Sequence, residues 1–444
     1  MTSTVTRRGH AVAPTRPDHP RRLDGLDLAR GLAVLGMVTA HFGPLRHGFD
    51  WMDPSSWSSL TDGRSAVLFA LCAGVSLTLA TRPRPGEDTA ALVDHRRHVL
   101  LRALALWVVG ALLVAVDSPV LVILPTYSVC FVATLPFLRA RTRTVALVAA
   151  AALLIGPVVY AVGLPAVLRA PADPLVKGVL FGGYPGITWW GIVLVGLLVG
   201  RLPLHAPRAQ GLMVGVGALA AAVGYGGGAL LRRVLGLPPS SVPVGSNSTA
   251  SGSADADGGG SATGGVVGPG GTAGAAGADT GGTGGAAGAE AGWSSAGTAS
   301  DAPVVRPQGG GTVEHPEIDW GGLSSIDPHA GSTPEVLGAL GVAVGVLGLC
   351  LLVSGRTGWL LAPVRAVGTL ALTVYAAHIV AFAVLQRTAG DWLGAGWAPA
   401  ASVMAGALVL VTAWRSRLGS GPLERLVRWA SRSLDGPGRR SRTN

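Results

Sequence analysis

Charged residues are scarce in this sequence, and their scarcity excludes a soluble globular protein. Asp, Glu, Lys and Arg make up 13% of the 444 residues, about half the share that soluble domains usually carry. Hydrophobic residues make up 49%, and they occur in blocks of about twenty residues, the length that crosses the core of a bilayer. The medium around most of this chain is therefore lipid.

Lysine is almost absent, and the distribution of the remaining basic residues argues against a nucleic-acid partner. Lys177 is the only lysine, so the net charge of +10 comes almost wholly from arginine. A nucleic-acid-binding surface gathers its basic residues on one face or along one helix. The arginines here are instead spread over short loops and tails, and we predict no nucleic-acid partner.

Cysteine is also rare, which bears on disulfides and metals. The three cysteines, Cys72, Cys130 and Cys350, each fall within an apolar segment. Their odd number gives no disulfide framework, and their wide separation gives no metal-ligand spacing. We therefore expect them to be packing residues, and we predict no metal site.

The apolar blocks predict an all-α fold, a polytopic transmembrane helical bundle of about ten spans. Between the seventh and eighth spans lies a long run of Gly, Ala, Ser and Thr that cannot bury enough apolar surface to fold. We predict that this run is one long disordered extracytoplasmic loop. The predicted spans cover residues 28–45, 65–81, 99–116, 120–138, 144–163, 186–200, 211–231, 335–353, 366–385 and 396–414.

The same pattern divides the chain into five segments. Residues 26–231 form an N-terminal seven-span region and residues 335–414 a C-terminal three-span region, joined by a Gly/Ala/Ser-rich extracytoplasmic linker at 232–334. Residues 1–25 and 415–444 are basic tails. With both tails inside, the inner segments hold 24 arginines and the short outer loops five Arg or Lys residues, which satisfies the positive-inside rule. We predict a multi-pass protein of the cell (plasma) membrane with both termini in the cytoplasm.

The first span carries ionisable residues, which are costly in a membrane and usually serve a function. Arg30 and His41 are eleven positions apart, so they return to within about 20° of one helix face and lie roughly 16 Å apart along the axis. Arginine suits phosphate or carboxylate, and histidine suits proton transfer near neutral pH. Asp27 is better explained as an i,i+3 partner of Arg30.

The predicted topology brings further polar side chains to the outer level of the bundle. Tyr375 and His378 share one face of the ninth span, while the others lie in outer loops or at the ends of spans. A lone histidine is more often a satisfied core residue than a ligand, and no two of these histidines have the i,i+4 spacing of a metal-binding pair. The candidate residues at this level are His41, His47, Asp62, Arg64, Tyr184, His329, Glu335, Tyr375 and His378.

The first span, in the segment RRLDGLDLARGLAVLGMVTAHFG, resembles the opening of the transmembrane acyltransferases, particularly the heparan-α-glucosaminide N-acetyltransferase-like catalytic domain. A broader acyltransferase group carries an Arg, ten residues and a His in its first helix, as Arg30 and His41 do here. The segment DGRSAVLFALCAGVSLTL resembles the second helix of the family. YPGITWWGIVLVGLLVGR, PHAGSTPEVLGALGVAVGVLGLC and LALTVYAAHIV resemble segments of actinobacterial members and of a related membrane domain of unknown function.

The resemblance implies a membrane-bound O- or N-acyltransferase. Such an enzyme takes an acyl group, usually acetyl, from coenzyme A on the cytoplasmic side and passes it to a sugar or small glycoside of the cell envelope on the other face. The implied partners are acetyl-CoA, the lipid bilayer and an extracytoplasmic glycan or small glycoside, and a homodimer stays open.

The resemblance also suggests roles for individual residues. Arg30 would hold phosphate or the pantetheine arm, and His41 would act as general base. The animal enzyme has its proposed catalytic histidine in the first outer loop, after an Asn at the position of His41, so His47 is a second candidate and His378 a third. The expected substrate-binding residues are Arg64, Asp62, Tyr184, His329, Glu335 and Tyr375.

Two other functions are compatible with the same residues. In a permease or lipid-linked carrier, the polar stripe of the first span would line a substrate pathway, and repeated halves with broken helices would be expected. No internal repeat is visible in the sequence. A catalytically inactive scaffold would keep the fold without the chemistry.

Overall fold

The computed structural model describes residues 23–44, 49–82, 89–169, 174–237, 320–355 and 359–432, and these ranges are helical with no β-strand. All of them belong to one compact unit. Most of the predicted linker, including its Gly-rich run, lies outside the described residues. The helices are α1 Asp24–Phe42, α2 Arg64–Ala80, α3 Thr89–Val114, α4 Leu124–Thr134, α5 Thr142–Arg169, α6 Pro174–Leu180, α7 Gly186–Val199, α8 Pro207–Ala221, α9 Gly227–Val234, α10 Thr333–Val353, α11 Ala362–Thr369, α12 Ala371–Thr388, α13 Gly390–Leu393, α14 Ala398–Leu418 and α15 Pro422–Arg432.

Seven helical segments of the described chain are long and apolar enough to cross a membrane, namely Pro54–Ala80, Val93–Val114, Thr142–Val167, Pro207–Val234, Thr333–Val353, Ala371–Thr388 and Ala398–Leu418. Two shorter apolar helices cover Leu124–Phe137 and Gly186–Val199. The remaining predicted span falls on α1, which has 19 residues and is about 28 Å long. The prediction of an all-α polytopic membrane protein is therefore confirmed, and each predicted span coincides with a helix.

Helix α1 lies at the centre of the bundle. It contacts α2, α10, α11, α12 and α14, and most of its side chains are buried, including that of Asp27. By contrast, α5, α8 and α14 expose large apolar side chains on their outer faces, such as Leu147, Leu212 and Val409. A central helix with charged residues and a rim of apolar helices is the arrangement expected when lipid is the solvent.

Glycines allow the N-terminal and C-terminal spans to pack closely. Helices α8 and α10 run against each other along Gly217 and Gly341, where an added Cβ would meet the backbone of the other helix. Small residues at such positions let membrane helices approach closely enough for extensive van der Waals contact. The seven N-terminal spans and the three C-terminal spans thus share one core.

The ninth predicted span, residues 366–385, is interrupted in the structure. Helix α11 ends at Thr369 and α12 begins at Ala371, with Leu370 between them at φ −112° and ψ 29°. Gly368 of α11 packs against the backbone carbonyl of Asp27 in α1, and any Cβ there would collide with it. The close approach of α11 to α1 thus requires a glycine at position 368.

The two ends of the linker meet at one place on the bundle. Arg232, in the last turn of α9, donates from Nη1 to the carbonyl oxygen of Gly321 and to Oγ of Ser324, both at 3.2 Å. A π-helical turn, Ala222–Gly226, precedes α9 and carries Tyr225. The chain therefore leaves the described bundle after α9 and re-enters it beside the same helix.

Candidate active site

Two histidines from distant parts of the chain meet in the bundle. Nδ1 of His41, in the last turn of α1, lies 3.2 Å from Nε2 of His378 in α12. Their rings are nearly parallel, with an interplanar angle of 9° and centroids 5.3 Å apart. His378 is 3% exposed and His41 is half-buried, so His378 is the member of the pair held in a largely dry environment.

The hydrogen-bond network indicates which nitrogens of the pair carry protons. Nδ1 of His378 lies 3.4 Å from the carbonyl oxygen of Val374, which can only accept, so this nitrogen is assigned the proton. Nε2 of His378 is then an acceptor in the neutral ring, and Nδ1–H of His41 donates to it. The proton-free nitrogen of His41 is Nε2, which is available as a base.

Tyr375 supports His378 from one turn earlier in α12. The edge of one ring meets the face of the other, with centroids 5.2 Å apart and an interplanar angle of 72°. The Tyr375 hydroxyl oxygen accepts from the backbone N–H of Ile123 at 3.1 Å. No residue in the described part of the chain accepts its hydroxyl proton, so this O–H can still donate to a ligand.

A second pair crosses the bundle at the same level. Nε2 of His329 lies 2.8 Å from Oδ1 of Asp62, and both groups are close enough to His41 for their charges to act on it. Burial lowers the pKa of His329, but the hydrogen bond from Asp62 and the charges of Asp62 and Glu335 outweigh it, so this pKa lies above its ordinary value. His329 has a φ of 64°, a strained conformation that occurs more often at functional sites.

Glu335 follows His329 at the start of α10 and lines a cavity with it. Ser332 is the N-cap of α10, and its Oγ accepts from the backbone N–H of Glu335 at 3.1 Å. Glu335 thus lies in the first turn of α10, and it is 6% exposed. The cavity is small, with about 20 Å³ of free space, and its wall includes Val67, Trp189, Ile192, His329, Glu335 and Val336. A space of this size holds about one water molecule or a single polar group of a ligand.

Not all the predicted substrate-binding residues lie in this cavity. Arg64 stacks over the ring of Tyr225 at 4.8 Å and donates from Nε to its hydroxyl at 2.9 Å, so the structure ties it to the π-helical turn. Tyr184 packs edge-on against the cavity residue Trp189 and donates its hydroxyl proton to the carbonyl of Leu121. His41 and His378 do not line the cavity, and His47 lies outside the described residues.

Arg30 lies nearer the other end of α1 and is held by two partners. Its Nη1 donates to Oδ1 of Asp27 at 3.1 Å, the i,i+3 pair that the sequence predicts. Its Nη2 donates to the hydroxyl of Ser76 in α2. These contacts fix the guanidinium between α1 and α2 without using all its donors.

Arg102 is a functional candidate that reasoning from the sequence missed. It lies within the predicted third span, and its guanidinium carbon is 5.6 Å from the centroid of the Phe131 ring. No hydrogen bond or ion pair joins it to any residue of the described chain, and Arg30 is close enough for its charge to act on it. Two arginines with one carboxylate inside a membrane bundle leave a positive charge that an anion could neutralise. An arginine within an apolar run was the signal that could have revealed it.

In the described ranges, no cluster of three or more His, Cys, Asp or Glu residues is arranged to hold a metal ion. The candidate site consists of the His41–His378 pair, the Asp62–His329 pair, a cavity lined by the buried Glu335 carboxyl group, and two arginines deeper in the bundle. This combination offers proton transfer at one level and anion binding at another.

Comparison with known protein families finds matches to two regions of the chain. Residues 22–223 match the catalytic-domain model of heparan-alpha-glucosaminide N-acetyltransferase. This part of the chain, somewhat less than half of its length, is similar to that family. It supplies Arg30, His41, Asp62 and Arg102, and we call it the acetyltransferase-like region. Residues 320–433 match a family of unknown function, DUF418, and we call them the DUF418 region. No curated protein and no solved structure matches the chain.

The acetyltransferase-like region does not complete the site by itself. His41 pairs with His378, and Asp62 pairs with His329, so each pair takes one member from each region. Glu335 and Tyr375 also come from the DUF418 region. The family match supports a membrane acetyltransferase family, and the geometry shows that residues of two separately matched regions lie together.

Proposed function

We propose that this protein is a membrane-bound acyltransferase that moves an acetyl group from cytoplasmic acetyl-CoA to a sugar or small glycoside at the extracytoplasmic face. The observation that carries the proposal is the contact between His41 Nδ1 and His378 Nε2 at 3.2 Å. It leaves Nε2 of His41 free of a proton, which is the state that a general base needs.

Arg30 and Arg102 support a donor with phosphate groups. Both side chains lie inside the bundle, and Arg102 has no acidic partner in the described chain. A guanidinium can bind phosphate oxygens through two parallel hydrogen bonds. Arg30 and His41 are roughly 16 Å apart along α1, so a donor held at Arg30 needs an extended arm to bring its thioester to His41. Coenzyme A has such an arm.

His41 and Tyr375 account for the chemical step. Nε2 of His41 takes the proton from the acceptor hydroxyl or amine, whose oxygen or nitrogen forms a bond to the acyl carbon. The C–S bond of the thioester then breaks, and the departing thiolate takes the proton back from His41. The free Tyr375 O–H, beside His378, would donate to the oxyanion of the tetrahedral intermediate.

The small cavity beside His329 is the proposed site for the reacting hydroxyl or amine group of the acceptor. Glu335 and His329 in its wall can accept and donate hydrogen bonds to sugar hydroxyl or amine groups, and Trp189 and the aliphatic residues offer an apolar face. The charges of Asp62 and His329 reach His41, so an acceptor bound here would lie near the base. We place this end of the bundle outside the cytoplasm, with both termini inside, in the plasma membrane.

One observation favours a second function. The interruption between α11 and α12 at Leu370 is a feature of carriers, whose broken helices bind substrates within the membrane. In a carrier, His41 and Arg30 would line a transport path. A scaffold without chemistry is the third alternative, and it has no structural feature of its own in the described residues.

Acetyl-CoA binding and acetyl transfer by the purified protein in detergent test the proposal. We expect wild-type protein to bind acetyl-CoA, and His41→Ala to bind it equally while product formation falls at least about 100-fold. Arg30→Gln should weaken donor binding about tenfold. Arg387→Gln is the matched control, because Arg387 contacts the carbonyls of Val116 and Asp117 at another part of the bundle. Folded wild-type protein that binds no acetyl-CoA would overturn the proposal in favour of the carrier.

A further inference from the structure

The interruption at Leu370 leaves the start of α12 in need of hydrogen-bond acceptors. The first N–H groups of any helix have no partner within the helix. Inside a membrane protein such groups cannot rely on water, and each unsatisfied group costs several kcal/mol. An uninterrupted ninth span would have satisfied them through the preceding turn, but α11 ends at Thr369.

Glu424, from the helix after the last span, supplies the missing acceptors. Its Oε1 accepts from the backbone N–H groups of Leu372 at 2.9 Å and Thr373 at 3.1 Å. Its Oε2 accepts from the Thr373 hydroxyl at 2.6 Å. In turn, Thr373 Oγ1 accepts from the backbone N–H of Leu423 at 3.3 Å. These four bonds join the first turn of α15 to the first turn of α12.

The charge of Glu424 suits this position. The N-terminus of a helix carries a partial positive charge, which a carboxylate stabilises, and hydrogen bonds to a carboxylate are about twice as strong as neutral ones. The rest of α15 is basic and partly exposed, with Leu426 and Trp429 on its surface. Glu424 is the one acidic residue of α15, and its carboxylate lies at the start of α12.

His378 lies five residues beyond Thr373 on α12, about 7.5 Å along the axis. Because the chain is interrupted at Leu370, the tight packing of α11 on α1 does not fix α12 through a continuous helix. The position of α12 against α1 depends instead on contacts that α12 itself makes, and Glu424 makes three of them. A shift of α12 would change the distance between His41 and His378.

We propose that Glu424 is a positioning residue, which caps α12 and thereby holds His378 against His41. The catalytic part of this inference rests on the proposed acyltransferase function, whereas the capping part does not. It gives the chain beyond the last span a role in the site, although Glu424 touches neither substrate nor the reacting atoms.

Hydrogen exchange on the full-length protein in detergent tests the capping independently of activity. We expect Glu424→Ala to accelerate exchange of the Leu372 and Thr373 amides at least about tenfold, with a smaller change in Glu424→Gln, which keeps one oxygen acceptor. The control is Arg428→Gln on the same helix, since within the described part of the chain the Arg428 side chain donates only to the backbone carbonyl of Glu424. Equal exchange in Glu424→Ala and wild type would overturn the inference.

A double-mutant cycle tests the link to His378. Glu424→Ala should lower kcat roughly 10- to 100-fold with the donor KM unchanged, because displaced groups react poorly, and Glu424→Gln should restore part of it. In a His378→Ala background the same change should have almost no further effect. If the losses of kcat in the two single variants add up in the double variant, Glu424 has only a structural role, and the positioning claim is overturned. If wild-type protein transfers no acetyl group, the proposed function fails, while hydrogen exchange still decides the capping.

Discussion

The acetyltransferase-like region matches a family with a known activity, whereas the DUF418 region matches a family of unknown function. In the structure, both regions contribute residues to one candidate site. The first region contributes Arg30 and His41, which its family match would lead one to examine. The second contributes His378, which pairs with His41, and His329, which pairs with Asp62. A family match to the first part of the chain therefore identifies half of a constellation, and the other half lies in the region of unknown function.

The two regions also differ in how they hold their residues. His41 is part of α1, a helix buried in the centre of the bundle. His378 is part of α12, which follows an interruption and is capped from outside by Glu424. His41 is therefore held by the packing of α1, whereas the helix that carries His378 is held both by packing and by hydrogen bonds to Glu424 at its start. Perturbations of the two regions should differ accordingly.

The largest effect is expected where the two regions touch most closely. Gly368→Ala would place a Cβ against the backbone carbonyl of Asp27, which cannot move without displacing α1. We expect loss of folded protein, measured by yield and size-exclusion profile in detergent. The control is Gly406→Ala in α14, where an added Cβ meets nothing within 4 Å and alanine favours the helix by about 1 kcal/mol. Normal yield of Gly368→Ala would contradict the close packing of α1 and α11.

Removal of His378 should have the next largest effect and shows whether the DUF418 region takes part in the chemistry. His378→Ala removes the acceptor that fixes the His41 tautomer, so we expect kcat for acetyl transfer to fall about 100-fold. Acetyl-CoA binding should stay unchanged, since the arginines lie in the other region. Unchanged kcat in a folded His378→Ala variant would mean that the acetyltransferase-like region acts alone.

A change at Arg102 tests the contribution of the acetyltransferase-like region to donor binding. Arg102→Gln removes a guanidinium that has no acidic partner in the described chain, so the cost to folding should be small. We expect acetyl-CoA affinity to fall about tenfold, or roughly 1.4 kcal/mol, measured by calorimetry. Truncated donors without phosphate, such as S-acetylpantetheine, should bind wild type and variant alike. Equal affinity of the two proteins for acetyl-CoA would exclude Arg102 from the donor site.

The smallest effect is expected at the Asp62–His329 pair and depends on pH. The raised pKa of His329 means that the pair stabilises the fold below the ordinary histidine pKa, and that this contribution is lost as pH rises through the raised value. Asp62→Asn should lower Tm by about 1–2 °C near pH 5.5 and less near pH 8.5, because partly exposed pairs contribute little. If the difference in Tm between wild type and Asp62→Asn grows with pH, the raised pKa of His329 is contradicted.

The bundle itself could be predicted from sequence because length and apolarity decide which segments span a membrane. Each predicted span coincides with a helix, and α1 was recognised despite Asp27 and Arg30. The interruption at Leu370 was missed because the surrounding segment AVGTLALTV is largely apolar and contains no proline. The interruption arises from tertiary packing of α11 on α1, which periodicity along the chain does not reveal.

The candidate site was predictable in part. Arg30 and His41 were singled out because ionisable residues are rare within spans, and the same reasoning should have found Arg102. The partners were harder to predict, since His41 and His378 are 337 positions apart and only the fold brings them together. Glu424 was missed for another reason, because it lies in a basic segment predicted to be a tail, where an acidic residue carries no visible pattern.

The contact of Arg232 with Gly321 and Ser324 has a practical consequence for the segment between α9 and the DUF418 region. Because this contact joins described residues on both sides, the helices that flank the segment are held together without any residue of the segment itself. Natural variants of very different length should therefore build the same helices. A fluorescent protein or an affinity tag could be inserted at this point as a reporter that leaves the two histidine pairs undisturbed.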